Sequence, residues 1–456
     1  MASRKTTRSR KAAPTPNSDC CRISSSAEEM MLAALARGDD TLHTGRFIAT
    51  FKDGAVQAGS QSFKATHGMR VADARDFDNQ ALSIESVGDA DAVVLPEIGV
   101  ALISGDAAQQ RGMTSTAEIA TDSAIASIDP EYFVFHHAAS AEVLRVLGGG
   151  VANPGDYLRG FLRAAETIAK DLGGAGATIP ASEHEQQALA LGATWGLGAC
   201  NVPPSTRSGT GIKVAVLDTG LDLGHPDFAG RAITSATFVK QPVQDLHSHG
   251  THCIGTSCGP QTPSGSTPRY GIAYRAAIFA GKVLDNSGSN VGGSVLTGMN
   301  WAIANRCQVI SMSLGSQSPV QPYYTAAGQS ALNNGLLMVA AAGNAGGPTG
   351  APANSPTIMA VAALDTNLTP PSFSDFGKIE IAGPGVNVFS SVPRPTLYGY
   401  KSGTSMATPH VAGCAALWAE TSATLRGMAL WNKLRQTAKS LPLASTTVGA
   451  GLVQAP

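Results

Sequence analysis

The second half of the chain contains a series of short, wholly apolar runs separated by helical patterns, and this feature constrains the fold most. A run without polar alternation is typical of a strand buried on both faces, as in a parallel sheet that helices cover on both sides. Helix candidates near 292–305 and 323–333 lie between the runs. Strand, helix and strand in this order predict βαβ units and a mainly parallel sheet. The five runs are 214–217, 277–280, 309–312, 336–339 and 358–361.

The chain of 456 residues is long enough for a large domain preceded by a smaller one. Its first stretch is polar and basic, which predicts a flexible tail over 1–40. We predict a small α+β unit over 41–137, and then a helical linker region over 138–193 in which 155–172 has apolar residues at helical spacing. A three-layer α/β/α sandwich is predicted over 194–456. The strand-like segments of the smaller unit are 46–51, 92–95, 100–103, 125–128 and 132–135.

Charge and hydropathy exclude several classes of function. Charged residues make up 14% of the chain and the formal net charge is −1, so neither nucleic-acid binding nor electrostatic membrane binding is indicated. No run approaches the roughly 18 apolar residues of a membrane-spanning helix. The basic N-terminus is not followed by the apolar stretch of a secretory signal peptide. We therefore expect a protein without a membrane span that is cytoplasmic or exported by a non-classical route.

Three motifs place reactive side chains where predicted strands end or predicted helices begin. Asp218 directly follows the run 214–217 and precedes a Thr-Gly turn. His249 begins a segment of small and apolar residues, and Ser405 lies in a Gly-Thr-Ser-Met motif at the start of an apolar helix. The carboxyl ends of parallel strands meet at one edge of a sheet, so these three side chains are expected to lie close together.

The three residue types suit nucleophilic catalysis. A serine hydroxyl is a poor nucleophile unless a base lies within hydrogen-bond reach, and the base needs an orienting carboxylate. Taken singly, each residue has a plainer interpretation, because a turn aspartate, a helix-start histidine and an N-cap serine are all common. Two further histidines, His252 and His410, are interpreted as packing residues.

Together the three segments resemble the Asp, His and Ser signatures of the subtilisin-like serine protease family, in the family's order along the chain. The match covers roughly 194–440, and the pair His252-Cys253 is similar to the proteinase K branch. The resemblance implies a serine endopeptidase with Asp218, His249 and Ser405 as its triad. It also implies an acyl-enzyme intermediate, protein or peptide substrates and a monomeric protein.

The resemblance implies further site residues. Asn344 ends the segment Ala-Ala-Gly-Asn and matches the asparagine of the family's oxyanion hole. Extended substrates would bind as an added strand between two edges of the cleft. No acidic residue is evident in the pocket for P1, the substrate residue before the scissile bond, so a preference for apolar P1 side chains is expected. The matching cleft positions are Ser313, Leu314 and Gly315 on one edge, Gly288 and Ser289 on the other, and Gly350 at the pocket floor.

The resemblance also has implications for a propeptide and for a calcium site. Segment 45–51 resembles the first strand of the family's inhibitory propeptide and 125–137 its last strand, which implies a self-processing zymogen that its own propeptide inhibits. Asp227 matches one family calcium ligand, whereas the loop 259–266 has no carboxylates. The chemistry needs no cofactor. No calcium ion is expected at Asp227, whereas the sequence leaves open whether a structural calcium ion binds elsewhere and where the chain is cut during maturation.

Three alternative functions are compatible with parts of the sequence. A peptide-binding pseudoprotease is disfavoured because every triad residue and Asn344 are present. A zinc hydrolase using His247, His249 and His252 lacks a nearby glutamate, and no CxxC motif pairs with a second one. A third possibility is an N-terminal module whose main role is targeting.

Overall fold

The computed structural model describes residues 22–37, 43–119, 123–136 and 192–456. We refer to described residues 22–136 as the N-terminal unit and to 192–456 as the C-terminal unit. The predicted helix 155–172, and nearly all of the predicted linker region, lie outside the described residues.

The C-terminal unit is built on a seven-stranded parallel sheet. All five apolar runs form strands of this sheet, as predicted. Because these strands are buried on both faces, helices cover the sheet on both sides, and the unit is a three-layer α/β/α sandwich. The two outermost strands were not predicted, because their sequences contain no comparable apolar run. In spatial order the strands are Ile381–Pro384, Met359–Leu364, Leu337–Ala341, Val309–Met312, Lys213–Asp218, Ala277–Lys282 and Ile233–Thr237.

Two helices of this unit position reactive residues. We call His249–Cys258 the histidine helix and Thr404–Thr421 the serine helix; they pack against each other. The serine helix also contacts the parallel sheet and is buried nearly all round, which explains its uniformly apolar sequence. The predicted helices near 292–305 and 323–333 are confirmed. They and the other elements of the unit are Gly292–Ala304, Pro322–Asn333, Trp195–Ala199, Ser289–Val291, the hairpin Val388–Ser391 and Tyr398–Lys401, Gly427–Thr437 and Ser445–Val448.

The N-terminal unit contributes five strands to a second, mixed sheet. The predicted segments 125–128 and 132–135 belong to one long strand, Ile125–Phe135, which we call the cleft strand. Ser289–Val291 of the C-terminal unit pairs with the end of the cleft strand and is the sixth strand of this sheet. The other strands, in spatial order, are Val71–Asp73, Ala92–Leu95, Val100–Ile103 and His43–Phe51, and the helices are Ala27–Arg37, Val56–Ala65 and Gly105–Gln110.

Both faces of the second sheet are apolar. Side chains such as Ile48 and Val100 join a core that is continuous with the C-terminal unit, whose helices Gly292–Ala304 and Pro322–Asn333 pack against these strands. The alternate residues, such as Ala49, lie in a separate core together with the unit's own helices. The N-terminal unit therefore covers one face of its sheet by itself and leaves the other to the C-terminal unit.

The prediction of a flexible tail over 1–40 is wrong for residues 27–37, which form a helix. The helix Ala27–Arg37 packs against the strand His43–Phe51. Its apolar side chains recur at the spacing of one helix face, and those of Met30, Met31 and Ala34 are buried. The basic composition of the first residues hid this short amphipathic pattern. No helix in the described part of the chain is long and apolar enough to span a membrane.

Candidate active site

An aspartate and a histidine are hydrogen-bonded at the carboxyl edge of the parallel sheet. Asp218 is the last residue of the strand Lys213–Asp218, and His249 is the first residue of the histidine helix. Nδ1 of His249 lies 2.8 Å from Oδ1 of Asp218, and both side chains are buried. The backbone N–H of Thr219 donates to the same carboxylate oxygen at 2.7 Å. The carboxylate thus holds the Nδ1 proton, and Nε2 is left as a proton acceptor.

A buried carboxylate ties the aspartate loop to the histidine helix. Asp245 accepts hydrogen bonds from the Thr219 hydroxyl at 3.0 Å and from the backbone N–H of His247 and of Thr251, at 2.9 and 2.8 Å. The Thr219 hydroxyl in turn accepts from the N–H of Gly250 at 2.8 Å. These bonds order the loop before the histidine helix and hold it against the end of the strand that carries Asp218.

Glycine is required where these two segments meet. A Cβ atom on Gly250 would lie 2.3 Å from the carbonyl oxygen of Gly220. Gly220 itself has φ +105°, a region that other residues rarely adopt, and a Cβ there would lie 2.0 Å from the Val243 carbonyl. Both glycines of the Asp and His motifs therefore allow the two backbones to approach closely.

The serine lies at the start of its helix, beside the histidine. Ser405 is the second residue of the serine helix; its hydroxyl donates to the Ser313 carbonyl at 3.3 Å, and its own carbonyl accepts from the Ser313 hydroxyl at 2.7 Å. The sulfur of Cys253 lies 3.9 Å from Nδ1 of His249 and 3.6 Å from the Ser405 carbonyl oxygen. Among the described residues, Nε2 of His249 has no hydrogen-bond partner. The arrangement brings an acceptor nitrogen, a carboxylate and a hydroxyl to one edge of the sheet.

Three side chains at the site could in principle hold a metal ion. In the described part of the chain, one group of three possible ligands converges: Asp218, His249 and Cys253, whose ligand atoms lie within 4.8 Å of one another. Burial, and next the nearby charge of Asp218, hold the pKa of the Cys253 thiol well above its ordinary value. A neutral thiol is a poor metal ligand, and Nδ1 of His249 is already engaged by the carboxylate, so the group fits proton handling better than metal binding.

The alternative zinc site does not assemble among the described residues. His247, His249 and His252 do not form a converging group, because Nε2 of His252 lies 2.9 Å from the Val388 carbonyl oxygen. Burial, with a further contribution from the charge of Lys401, holds the pKa of His252 well below its ordinary value. His410 has the same character: Nδ1 lies 2.8 Å from its own helix at the Met406 carbonyl, and burial lowers its pKa to about 4. Both were predicted to pack, and both do.

Asn344 lies beside the serine with a defined amide orientation. It follows the strand Leu337–Ala341, and its Oδ1 accepts from the backbone N–H of Thr404 at 2.8 Å and from the Thr404 hydroxyl at 3.0 Å. Because Oδ1 is engaged by donors, the Nδ2 group remains as the donor toward the pocket that Asn344 and Ser405 both line. The sequence did not predict a role for Thr404, although its place directly before Ser405 in the motif was a signal.

The cleft strand lies between the two edges that the sequence assigned to substrate. Its residues 133–135 pair in antiparallel register with Ser289–Val291. On the same side, the N–H of His136 donates to the Gly288 carbonyl at 3.0 Å. On the opposite side, Phe135 and Gly315 exchange two backbone hydrogen bonds of 2.9 Å each. The end of the N-terminal unit therefore occupies the position predicted for an extended peptide.

A pocket opens beside Ser405 at the end of this strand. At Gly315 and Gly350 the neighbouring backbone is too close for a side chain. A Cβ on Gly350 would be 2.3 Å from the Ser316 carbonyl oxygen, and one on Gly315 would be 2.6 Å from the Ala351 carbonyl oxygen. None of the described residues that line the pocket is acidic. The predicted positions Leu314, Gly315 and Gly350 line the pocket, together with Phe135, His136, Ser316, Gln317, Ala341, Ala342, Gly343, Asn344, Ala351, Thr404 and Ser405. Gly288 and Ser289 lie on the opposite edge, as predicted, and Ser313 bonds to Ser405 behind the pocket.

Three imidazoles meet at the end of the cleft strand. The ring centroid of His136 lies 4.3 Å from that of His247 and 5.2 Å from that of His249. This contact could not be predicted from sequence, since His136 and His247 lie 111 residues apart in the chain and in different units. The N-terminal unit thus touches the candidate base directly.

Comparison with known proteins agrees with this geometry. The model of the subtilase family matches residues 209–451. The chain is 40% identical over 278 residues to an alkaline protease of Alkalihalobacillus alcalophilus, which covers 60% of this chain and 71% of that protein. It is 41% identical over 266 residues to subtilisin Savinase of Lederbergia lenta, covering 57% and 96%, and 39% identical over 255 residues to a subtilisin of Bacillus pumilus, covering 54% and 90%.

Proposed function

Because this chain belongs to the subtilase family and is a serine-type endopeptidase, we propose that Asp218, His249 and Ser405 are its catalytic triad. The observation that carries the proposal is the buried 2.8 Å contact between Asp218 and His249, which leaves Nε2 without a partner among the described residues, at the sheet edge where Ser405 begins its helix. The chemistry needs no cofactor, and the substrates are proteins.

The mechanism follows from these positions. Ser405 attacks the scissile carbonyl while Nε2 of His249 accepts its proton, and Asp218 stabilises the imidazolium that forms. The Ser405 hydroxyl must turn from the Ser313 carbonyl toward Nε2, a rotation about one side-chain bond. Freed of this bond, the Ser313 carbonyl can accept a hydrogen bond from the substrate backbone. Water, activated by the same histidine, then hydrolyses the acyl-enzyme.

We assign the oxyanion hole to the Nδ2 group of Asn344 and the backbone N–H of Ser405. The support is the orientation of the amide, whose oxygen accepts two hydrogen bonds from Thr404 and so leaves the nitrogen as donor. Donors of this kind stabilise the negative charge that develops on the carbonyl oxygen.

We further propose that the domain predicted over 41–137 is an inhibitory propeptide. The structure describes its residues 43–119 and 123–136. The cleft strand supports this, because it fills the groove between Gly315 and Gly288 in the manner of a substrate. Phe135 and His136, at the end of the cleft strand, line the same pocket as Ser405, so self-cleavage is expected within a few residues after His136. The helix predicted at 155–172 would then stay with the mature enzyme.

The substrate positions follow from the same comparison. Ser313, Leu314 and Gly315 would pair with one side of a peptide, and Gly288 and Ser289 with the other. The pocket floor at Gly350 and the absence of acidic residues from the lining support a preference for apolar P1 side chains.

We propose that Asp227 binds no calcium ion. Its carboxylate accepts from the Ser264 N–H at 3.0 Å and from the hydroxyls of Tyr270 and Tyr398 at 2.6 and 3.0 Å. Burial acts to raise the pKa of Asp227, but these hydrogen bonds outweigh it and the pKa lies below its ordinary value. An N–H group that faces the carboxylate is a donor, which does not fit a cation site.

Active-site labelling tests the triad. A fluorophosphonate that phosphonylates an activated serine is expected to modify Ser405, located by peptide mass mapping, and His249→Ala should lower the labelling rate by a factor of about 10³ or more. His252→Ala is a matched control, since His252 packs behind the site, and the folded fraction of this variant should label normally. Labelling of another serine, or an unchanged rate in His249→Ala, would refute the assignment.

A further inference from the structure

We propose that Asp375 is a positioning residue for the oxyanion hole, holding the backbone on both sides of Asn344. This inference rests on the proposed function of Asn344. Asp375 lies in the loop between the strands Met359–Leu364 and Ile381–Pro384, and its side chain is 1% exposed. The sequence did not point to it, because an aspartate among serine and phenylalanine residues of a loop has no chemical signature.

The carboxylate of Asp375 binds the residues that follow Asn344. Oδ1 accepts from the backbone N–H of Ala345 at 2.8 Å and from that of Gly347 at 2.9 Å. The backbone N–H of Asp375 donates to the carbonyl of Gly343, the residue before Asn344, at 3.1 Å. One residue therefore fixes the chain immediately before and immediately after the oxyanion donor.

The same carboxylate links the two walls of the pocket. Oδ2 of Asp375 accepts from the side-chain amide of Gln317, which lines the pocket on the side of the substrate-binding edge. Gly343 has φ +123°, and a Cβ there would lie 2.0 Å from Oδ2 of Asp375. The contact is thus so close that glycine is required, and the carboxylate is packed directly behind the Asn344 loop.

These bonds complement those on the side chain of Asn344. Thr404 orients the amide from one side, and Asp375 fixes the backbone that carries it from the other. Oxyanion donors act only when they are held close to the position that the charge will occupy, and a displacement of about 1 Å can cost about 10²-fold in rate. Without Asp375, two N–H groups of the loop would lose their acceptor, and the loop would be free to shift.

The test compares kcat and KM for a chromogenic peptide substrate, with active sites counted by fluorophosphonate labelling. Asp375→Ala is expected to lower kcat by about 10- to 100-fold with KM within about twofold of wild type. Asp375→Asn keeps an oxygen for the two N–H groups, and Gln317 can turn its amide oxygen toward the new NH₂, so kcat should recover to within about threefold. Asn344→Ala supplies the reference, an expected loss of about 10²–10³.

A matched control distinguishes positioning from general loosening. Asp365 also accepts from two backbone N–H groups, those of Asn367 and Thr369, both at 2.9 Å, in the same connecting segment but away from the pocket. Asp365→Ala should lower the melting temperature and leave kcat within about twofold of wild type. If Asp375→Ala does not fold, Asp375→Ser retains one acceptor oxygen and is expected to lose about 3- to 30-fold in kcat.

The outcomes separate this inference from the proposed function. If Asn344→Ala is impaired while Asp375→Ala has wild-type kcat, the positioning role is wrong and the oxyanion assignment stands. An Asn344→Ala variant with wild-type kcat would overturn the oxyanion assignment and, with it, the role of Asp375. Equal losses of kcat in the Asp365 and Asp375 variants would also overturn the role, because the effect would then be one of stability.

Discussion

The two sheets of this protein are completed in different ways. The seven-stranded parallel sheet is covered on both faces by helices of its own unit. The sheet of the N-terminal unit is covered by helices of that unit on one face only. On its other face it packs against two helices of the C-terminal unit, Gly292–Ala304 and Pro322–Asn333. A sheet with one apolar face uncovered is not stable alone. The N-terminal unit is therefore built to be held by the C-terminal unit, as expected of an inhibitory segment.

A buried ion pair of the N-terminal unit also depends on contact with the C-terminal unit. In the N-terminal unit, Arg46 and Glu131 form a fully buried ion pair, with Nε and Oε2 2.7 Å apart. Glu131 also accepts from the Thr44 hydroxyl at 2.6 Å and, across the interface, from the N–H of Gly293 at the start of a C-terminal helix, at 2.7 Å. The positive end of that helix suits a carboxylate. The buried imidazoles of His252 and His410 in the C-terminal unit contact backbone carbonyl oxygens instead, those of Val388 and Met406.

The largest expected effect comes from breaking this ion pair. Glu131→Ala leaves the Arg46 guanidinium buried without its carboxylate, which typically costs about 3–5 kcal/mol. Asp89→Ala is the control, since Asp89 pairs with Arg70 at the surface, where such pairs contribute about 0–1 kcal/mol. The background is Ser405→Ala, so that the chain stays whole.

Two probes of unfolding read the units separately. All four tryptophans lie in the C-terminal unit, so tryptophan fluorescence reports that unit, whereas far-ultraviolet circular dichroism reports both. Glu131→Ala should split the circular-dichroism transition and leave the fluorescence midpoint nearly unchanged. A common loss in both probes would mean that the units unfold as one, and the comparison would have to be abandoned.

Lowering the pH should reduce the stability of the C-terminal unit, by less than the loss expected for Glu131→Ala in the N-terminal unit. Burial lowers the pKa of His410 to about 4, below the ordinary value of 6.5. The unfolded chain binds this proton first, so the stabilisation is complete above about pH 6.5 and is lost as the pH falls toward 4, by up to roughly 3 kcal/mol. His410→Gln should flatten the pH dependence of the fluorescence-detected stability in this range. An unaltered pH profile in this variant would show that other groups cause the acid sensitivity.

The C-terminal unit was predictable in fold and in site because both kinds of signal lie in short segments. Apolar runs mark strands covered on both faces, and Asp218, His249 and Ser405 each follow a strand or open a helix. The strand Ile233–Thr237 was missed because it lies at the edge of the sheet and is only partly buried.

The parts that sequence could not predict depend on contacts between distant segments. The helix Ala27–Arg37 gains its stability from packing on a strand that follows it, and its propensity alone is weak evidence. Asp375 and His136 have no local signature, because what they do depends on which backbone or ring the fold brings next to them. Glu131 likewise acquires its partner Gly293 only when the two units are docked.

The intact mass of the purified full chain and of Ser405→Ala, expressed in parallel, decides whether the N-terminal unit is a propeptide that this active site removes. The wild type should be cut within a few residues after His136, and Ser405→Ala should keep its full mass, because Phe135 and His136, at the end of the cleft strand, line the same pocket as Ser405. Full-length mass for both proteins, or the same cut in both, would contradict the claim that the N-terminal unit is a propeptide removed by this active site.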